Sequence, residues 1–584
     1  MTVKAQIHLW PWSVEVAKDS LDLLGGEITI PFFGSPVISL SEGASLILPS
    51  RSERFVALGP SYESLGGRYR VYETPHGVLA GPKVSTSSNT LSVLEAGLVR
   101  EIAFRTEGAA ERVEGKHPDG TEKLTPIARH VLAWSQFFDD LIDIIRSGDI
   151  YADGIQWPWL LDLLNELSVI REPRMALIVK IAQDLRRQLP EIVLGIRRIL
   201  LRERELIPMH RVQESDIGCL RWYVRQPGRT AAEKAGTRQK LLAVVRREIF
   251  DTLENRILKE FIRLCRREAY RYLQDVVGSD PKFQSATRSI LVRSFREVCR
   301  ECLRDPTLEA IRKPGAGIAP NNVLLNDPRY RQVWAWYLQL LRHEEEQDRV
   351  WDWQSRMWAD VVRLMAGAAL ELWRTEEGHR VSINGLTCRT IVDSGMRVTL
   401  EQRLGCRIES GSEPGPFLIE RFKNGRMDKQ AVLELVHPSL AQQHNVSRML
   451  GRTGGHLYFV ISDINGGSQR QGVIILWAVN TAASTAPCTA DADYLSRSAF
   501  RAIETHRTVL GLRGTNVPKI SGLVVANCCS ENGLGGKAKQ RAERHDAVAN
   551  HLPVLIVPAD PNGWESAVEE LAQALIDVFG EIIG

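Results

Sequence analysis

The chain of 584 residues is 44% hydrophobic and 25% charged, with a formal net charge of +3. Its length is too great for one core and fits three or four domains, and its apolar content excludes a disordered chain. The near-neutral balance excludes a whole-molecule field that would draw it to nucleic acid, so any basic surface must be local. Residues 1–108 alternate short apolar runs with Gly, Pro and Ser, as in EITIPFFG, SLILPS and GRYRVYE. This predicts a β-rich N-terminal domain, a sandwich or barrel-like module. Residues 109–125 are polar and Gly-containing and read as a linker.

From 126 to 325 helical periodicity dominates, broken at Pro158, Pro173, Pro190, Pro208 and Pro227, which predicts a bundle of medium-length helices. Two Trp-laden helices follow, Tyr330 to about His343 and about Val350 to Trp373. Indoles at helical spacing fit a core better than a base-stacking surface. Residues 326–584 read as an α/β domain, because extended segments give way to helices alternating with apolar runs such as GLVVAN and PVLIVP. Continuous apolar strands of that kind belong to a sheet covered on both faces.

Nine cysteines, odd in number and scattered, argue against a disulfide framework and for a reducing compartment, so a cytoplasmic location is expected. Cys299 and Cys302 form a lone CxxC without two further ligands at zinc spacing, and the Cys528-Cys529 pair that follows an apolar run reads as buried thiols. The start MTVKAQIHLWPW has no apolar signal-peptide core, and no stretch approaches 18 apolar residues, so no membrane partner is expected.

The segment from Gly236 to Tyr272 places Phe250, Leu253, Ile257, Phe261 and Leu264 at three- and four-residue steps, the pattern of an amphipathic helix. A surface helix accounts for each polar residue between them taken alone. From Gly236 to Lys313 there are 18 Lys and Arg against 11 Asp and Glu. That excess fits phosphate contact or an ordinary solvated face, with Arg263, Arg266, Arg267 and Arg271 the candidate nucleic-acid-binding residues.

The ordered string is more specific than any one residue. Leu-Arg-Trp-Tyr-Val-Arg-Gln-Pro-Gly from Leu220 to Gly228 precedes Phe-Asp-Thr-Leu-Glu-Asn-Arg-Ile-Leu-Lys from Phe250 to Lys259. This resembles the bacterial McrC-like family catalogued as domain of unknown function 2357. The resemblance implies a multidomain α+β chain: a β-rich N-terminal domain, a helical middle and a C-terminal α/β domain resembling a PD-(D/E)XK nuclease. It also implies work beside a McrB-type AAA+ motor, or other defence-system subunits, in anti-phage restriction.

Such a nuclease needs an Asp on one strand and Glu-x-Lys on the next, because two carboxylates hold Mg²⁺ while the Lys positions the attacking water. In AVLELVH the carboxylate is present at Glu434, but the Lys position is Val436. Where the resemblance would place Pro-Asp, the chain has Pro416-Phe417. The expectation is a degenerate nuclease-like domain in which Glu434 is a relic or a hydrogen-bonding residue, with no cofactor. The alternative is an active Mg²⁺-dependent DNA endonuclease with rearranged residues. Its ligands would come from Asp393, Glu401, Glu413, Glu420, Asp428 and Asp463, with Lys423, Lys429 or His437 in the lysine role.

Asn532-Gly-Leu-Gly-Gly-Lys-Ala538 fails the phosphate-loop spacing, and Ala538 has no hydroxyl for Mg²⁺. Any nucleotide should therefore belong to a partner. The expected role is a DNA- and motor-binding scaffold, and a nucleic-acid-binding module without a motor is the remaining class.

Overall fold

The structure is a computed structural model. It describes residues 5–8, 10–12, 28–31, 35, 37–47, 57–58, 61–64, 67–73, 89–107, 112–117, 122–147, 155–156, 162, 164, 173, 175–278, 281–315, 318–352, 354–374, 386–390, 395–396, 398–401, 405–408, 416–424, 426–438, 440, 453–464, 471–480, 488–509, 518–528, 543–545, 551–558 and 561–583. The chain divides into two compact units, one made of residues 1–174 and 344–584, the other of residues 175–343.

The first unit begins with strands β1 (Ala5–His8), β2 (Ile28–Pro31), β3 (Val37–Ser41), β4 (Ala44–Ile47), β5 (Tyr62–Ser64), β6 (Gly67–Glu73), β7 (Asn89–Glu95) and β8 (Leu98–Glu107). They form two four-stranded sheets, ordered β1-β3-β6-β5 and β2-β8-β7-β4. Apart from a 3-10 turn at Pro11 and Trp12, every element described before residue 108 is a strand. Beneath the first sheet His8 Nε2 lies 2.8 Å from Ser39 Oγ, which accepts from Tyr62 OH at 3.0 Å. The expected linker differs: β9 (Val113–Lys116) and β10 (Glu122–Leu124) pair as a ribbon, anchored by the buried Leu124. Val113 and Leu124 are too few for the sequence pattern to register as strand. Helix α1 (Pro126–Ser147) starts with Pro in its first turn, where a missing N–H costs nothing, and Thr125 Oγ1 accepts from Ala128 N at 3.3 Å. The two-residue strand β11 (Ile155–Gln156) follows.

The second unit holds α2 (Leu177–Leu185), α3 (Gln188–Leu194), β12 (Ile199–Pro208), α4 (Ile217–Arg225), β13 (Lys240–Ile249), α5 (Leu253–Arg271) and α6 (Thr287–Cys302), and α7 (Pro328–Asp352) begins in it. Strands β12 and β13 pair antiparallel over ten positions as a ribbon within the middle read as a bundle of helices. Leu, Arg and Glu favour helix as isolated residues, but pairing each position of ILLRERELIP with KLLAVVRREI overrides that preference. Helix α5 buries Ile257, Phe261 and Leu264 of the apolar stripe read from the sequence, together with Leu258, Ile262, Cys265 and Ala269, while Phe250, just before the helix, and Leu253 are half-buried. Cys265, Cys299 and Cys302 are free and buried, and burial pushes the Cys302 thiol up to about 11, which suits a packed thiol and not a metal ligand.

The first unit resumes with α8 (Gln354–Arg374), then β14 (Leu386–Thr390), β15 (Gly395–Met396), β16 (Val398–Glu401), β17 (Gly405–Ile408), β18 (Phe417–Lys423), β19 (Arg426–Val436), β20 (Leu457–Asp463) and β21 (Gln471–Asn480). It closes with α9 (Cys488–Val509), β22 (Lys519–Cys528), β23 (Glu543–His545), β24 (Val554–Pro558) and α10 (Trp564–Ile583). An eight-stranded sheet runs β14-β18-β19-β20-β21-β22-β24-β23. The pairs from β14 to β21 are antiparallel, while β21-β22 and β22-β24 are parallel.

One sheet face carries Phe417, Ile419, Leu433, Phe459, Leu476 and Val525 and packs on α1, α8 and α10. The indoles of Trp134, Trp358 and Trp564 meet there, with centroids 5.9 and 6.3 Å from Trp134, so these tryptophans are core. The other face carries Val436, Tyr458, Val460, Ile475 and Trp477 and packs on α9 and on Trp10 and Trp12. Trp12 sits 5.4 Å from Trp477 and donates to Ser498 Oγ at 3.0 Å. Gly454 lets this segment close down: its φ is +60°, and a Cβ there would lie 2.2 Å from the Pro11 carbonyl oxygen. The alternation of apolar runs with helices predicts a helix between GLVVAN and PVLIVP, near Lys537 to Asn550; that segment falls mostly outside the described residues, and Glu543–His545 within it is a strand.

Candidate functional site

Strands β18 and β19 carry the candidate catalytic residues. Phe417 on β18 is the register partner of Leu433 on the adjacent β19, so the two strands chosen from the sequence are neighbours. Residues directly opposite in an antiparallel pair share a face, and successive residues alternate. Glu434 and Val436 therefore point to the face opposite Phe417, toward Val460 and Tyr458. The positions on Phe417's own face are Leu433 and Leu435, both packed into the core. Shifting the motif by one residue to restore a common face gives Phe417, Leu433 and Leu435 in place of Asp, Glu and Lys.

The alternative ligands do not converge either. Glu420 is buried on Glu434's face and accepts from Gln430 Nε2 at 3.1 Å. Its register partner is Gln430, four residues before Glu434, so the two carboxylates stand roughly 13 Å apart along the strand. Lys429 Nζ donates to the Ile583 carbonyl at 2.6 Å, while Asp428 and Lys423 are exposed and His437 is buried. Asp393 and Glu413 lie outside the described residues, and for Glu401 and Asp463 only the backbone is described. Among the described residues no three of His, Cys, Asp and Glu come together as a metal site. The Asn532–Ala538 loop is also outside the described residues.

The Asp-Thr-Leu-Glu-Asn-Arg string has a different and better-defined place, at the base of the β12–β13 ribbon. Asn255 is fully buried; its Nδ2 donates to the Arg197 carbonyl at 2.7 Å and to the Phe250 carbonyl at 2.8 Å, and its Oδ1 accepts from Tyr330 OH at 2.6 Å. Tyr330 OH in turn accepts from the Arg197 amide at 3.0 Å. Since Arg197 precedes β12 and Phe250 follows β13, one side chain holds both legs of the ribbon. Glu254 sits beside it, 3.1 Å from Arg197 Nη1 and accepting from Asn321 Nδ2 at 2.9 Å. Burial opposes its charge, but bonds from its own amide, Asn321 and Arg197 prevail and hold the carboxyl below its ordinary range. Asp251 binds Arg256 through two contacts of 2.8 Å, and Lys259 Nζ caps the Glu309 and Ile311 carbonyls at 2.9 and 2.6 Å.

Sequence reasoning singled out this string but not Arg197, Asn321 or Tyr330, which complete the clamp from distant positions. Their only sequence signal is that each is a donor-bearing residue next to a turn. Above the clamp is a cavity of about 410 Å³, lined by Ile199, Leu201, Ile249, Leu253 and Val323 with Glu254 and Asn321 at its polar end.

The four candidate arginines do not form one open patch. Arg266 is exposed, and Arg263 is partly exposed and paired with Glu260 at 3.3 Å. Arg267 and Arg271 both engage Glu268, at 3.6 and 3.0 Å, with the Arg271 side chain only 12% exposed. The more open basic surface is the ribbon's far end. There Arg221, Arg225, Arg229 and Arg238 are exposed, while Glu214 and Asp216 are bound to Arg202, Arg246 and Arg204.

Residues 172–337 match the family described as "Domain of unknown function (DUF2357)". This span nearly coincides with the second unit. No curated protein matches the chain. Among solved structures, the chain is similar to one from a "Refined half-complex from tetradecameric assembly of Thermococcus gammatolerans McrB AAA+ hexamers with bound McrC". The identity is 9% and the TM-score 0.19, over 88% of this chain and 85% of that one. No helix among the described residues is long and apolar enough to cross a membrane.

Proposed function

We propose that the chain is a non-catalytic subunit of a McrC-like restriction system, a scaffold whose C-terminal α/β domain descends from a nuclease and has lost the chemistry. The observation that carries this reading is the β18–β19 register, in which Phe417, Leu433 and Leu435 fill the face that an Asp, a Glu and a Lys would need. Apolar side chains cannot ligate a hard cation, which takes oxygen ligands at about 2.0–2.6 Å. The family match over residues 172–337 supports the restriction-system assignment. An AAA+ motor is the proposed partner, since the Asn532–Ala538 stretch that resembles a phosphate-binding loop has the wrong spacing and no hydroxyl for Mg²⁺. DNA is a second proposed partner. The N-terminal strands are the proposed motor-docking module, by analogy with McrC-like architecture. Co-expression with neighbouring genes, followed by affinity purification of the full chain, tests the assignment. It predicts recovery of a nucleotide-hydrolysing partner, and a lone chain that protects cells from phage would refute it.

A further inference from the structure

The ribbon of the second unit has one covered edge and one open edge. In the β12–β13 ladder Val244 N–H turns outward and donates to the Glu214 carbonyl at 2.9 Å, so the segment leading into α4 covers part of the β13 side. Its register partner is Arg204, and the pairing runs without a bulge. In an antiparallel pair, N–H and C=O of one residue point the same way and alternate along the strand. The outward-pointing groups of β12 are therefore those of Leu200, Arg202, Arg204 and Leu206. Among the described residues no backbone hydrogen bond reaches them across that edge. The strand also leaves Ile199, Leu200, Leu201 and Leu206 exposed, at 44%, 57%, 39% and 47%. Folded proteins normally blunt a bare apolar edge of this kind, because it invites another strand.

We propose that the outer edge of β12 is a docking edge for an extended segment of a different polypeptide, added as a third strand with an apolar side chain seated in the cavity beside Ile199 and Leu201. Ile199, Leu201 and Glu203 share the face that opens on this cavity, whose remaining walls include Ile249, Leu253 and Val323. The segment carries an apolar residue opposite Leu201 and a basic one opposite the exposed Glu203. On the other face Arg202 and Arg204 are already bridged to Glu214 and Asp216, so that face asks for no charge.

A second copy of this chain fits poorly. Two-fold antiparallel pairing centred on Glu203 sets Glu203 against itself and Arg202 against Arg204, and centring on Arg202 or Arg204 sets Arg against Arg. Like charges placed directly opposite are destabilising. The proposal stands on the ribbon alone and does not depend on the nuclease-like sheet being inactive.

The test uses the full chain and two capped peptides, Thr-Ile-Thr-Ile-Thr-Lys-Thr and its reverse, so that both strand directions are sampled. Fluorescence anisotropy reads binding, and amide hydrogen exchange reads position. One peptide should bind and slow exchange at Leu200, Arg202, Arg204 and Leu206. The Leu200→Pro/Leu206→Pro variant should bind it at least about tenfold more weakly, through loss of two edge donors. Proline at these outward positions removes no bond of the β12–β13 ladder, so the denaturation midpoint should hold. On the unaltered protein, of two versions of the peptide N-methylated at alternate residues, only one should lose binding. Equal binding by the proline variant, equal behaviour of both methylated peptides, or no slowed exchange at the edge overturns the proposal. Slowed exchange that appears with protein concentration alone would assign the edge to a second copy and overturn it too.

Discussion

Phe417 and Leu433 face each other across the β18–β19 ladder, both fully buried against the helices of one sheet face. The pair packs as core. Phe417 and Leu433 belong to the same apolar cluster as Phe459 and Phe579, and Leu435 packs against it.

That packing gives a first prediction. Phe417→Ala should lower stability by about 3–5 kcal/mol through the cavity it leaves, and Phe417→Asp by more, since it buries an unpaired charge. Urea denaturation of the full chain checks both. An Asp at this position that left the midpoint unchanged would show the site to be open and hydrated.

Asn255 should behave as a structural clamp. Asn255→Asp removes both donors and leaves the Arg197 and Phe250 carbonyls buried, at about 1–3 kcal/mol each, whereas Tyr330→Phe removes one hydroxyl and should cost about 1 kcal/mol. Hydrogen exchange in the ribbon should rise in the first variant. A variant that folds with native stability but loses a partner would move the string from a structural role to a recognition role.

Much of the fold was legible in the sequence because it followed from uninterrupted patterns. The parallel strands carrying GLVVAN and PVLIVP read as apolar runs because both faces are covered, and the stripe of α5 stood out at helical spacing. The ribbon was hidden because its central residues, Arg202 to Glu205, are strong helix formers whose pairing partners lie some 40 positions away. The face of Glu434 was also hidden, since strand register is set by pairing and a one-residue shift reverses every side chain. Asn255 could be picked out, but the clamp could not, because Arg197 and Tyr330 meet it only in the folded chain.

Glu73 and His456, 383 positions apart, are 3.1 Å from each other in the interior of the first unit, where Ala478 N donates to His456 Nδ1 and Arg363 Nε donates to the His456 carbonyl. Burial works against the Glu73 charge, but the His456 hydrogen bond and the charges of Arg363 and Arg356 prevail and hold the carboxyl below its ordinary value of 4.5. A depressed carboxyl pKa stabilises the fold fully above the unfolded value and loses that contribution as pH falls through the folded one. Stability should therefore decline below pH 4.5 in the native chain. Glu73→Gln should flatten that decline while costing about 3–5 kcal/mol at neutral pH. Denaturation midpoints across the acid range check it.

His8 gives a second pH signature with the same sign and a different window. Burial lowers its pKa from 6.5 to about 4, so the unfolded chain takes up the proton first and stability falls as pH drops from 6.5 toward about 4. Its bond with Ser39 requires an unprotonated Nε2 if Ser39 donates there while accepting from Tyr62. Histidine chemical shifts followed by NMR should show one ring that resists protonation until about pH 4, and His8→Gln should remove that resonance.

Among the candidate arginines, charge reversal should separate by exposure. Arg266→Glu should weaken any salt-dependent DNA binding without unfolding the chain, whereas Arg271→Glu should destabilise it through repulsion from Glu268. Binding titrations at two salt concentrations, paired with denaturation, distinguish the two. Unchanged affinity in Arg266→Glu would leave the run as a solvated helix face.

The central claim is that the sheet carrying β18 and β19 does no nuclease chemistry, and incubation of the purified full-length chain with plasmid DNA in Mg²⁺ and in Mn²⁺ tests it most directly. The account predicts no metal-dependent nicking or linearisation above the protein-free control. Cleavage that requires either metal and disappears in Glu434→Ala or Glu420→Ala would contradict it, and would mean that carboxylates on the face away from Phe417 assemble the centre.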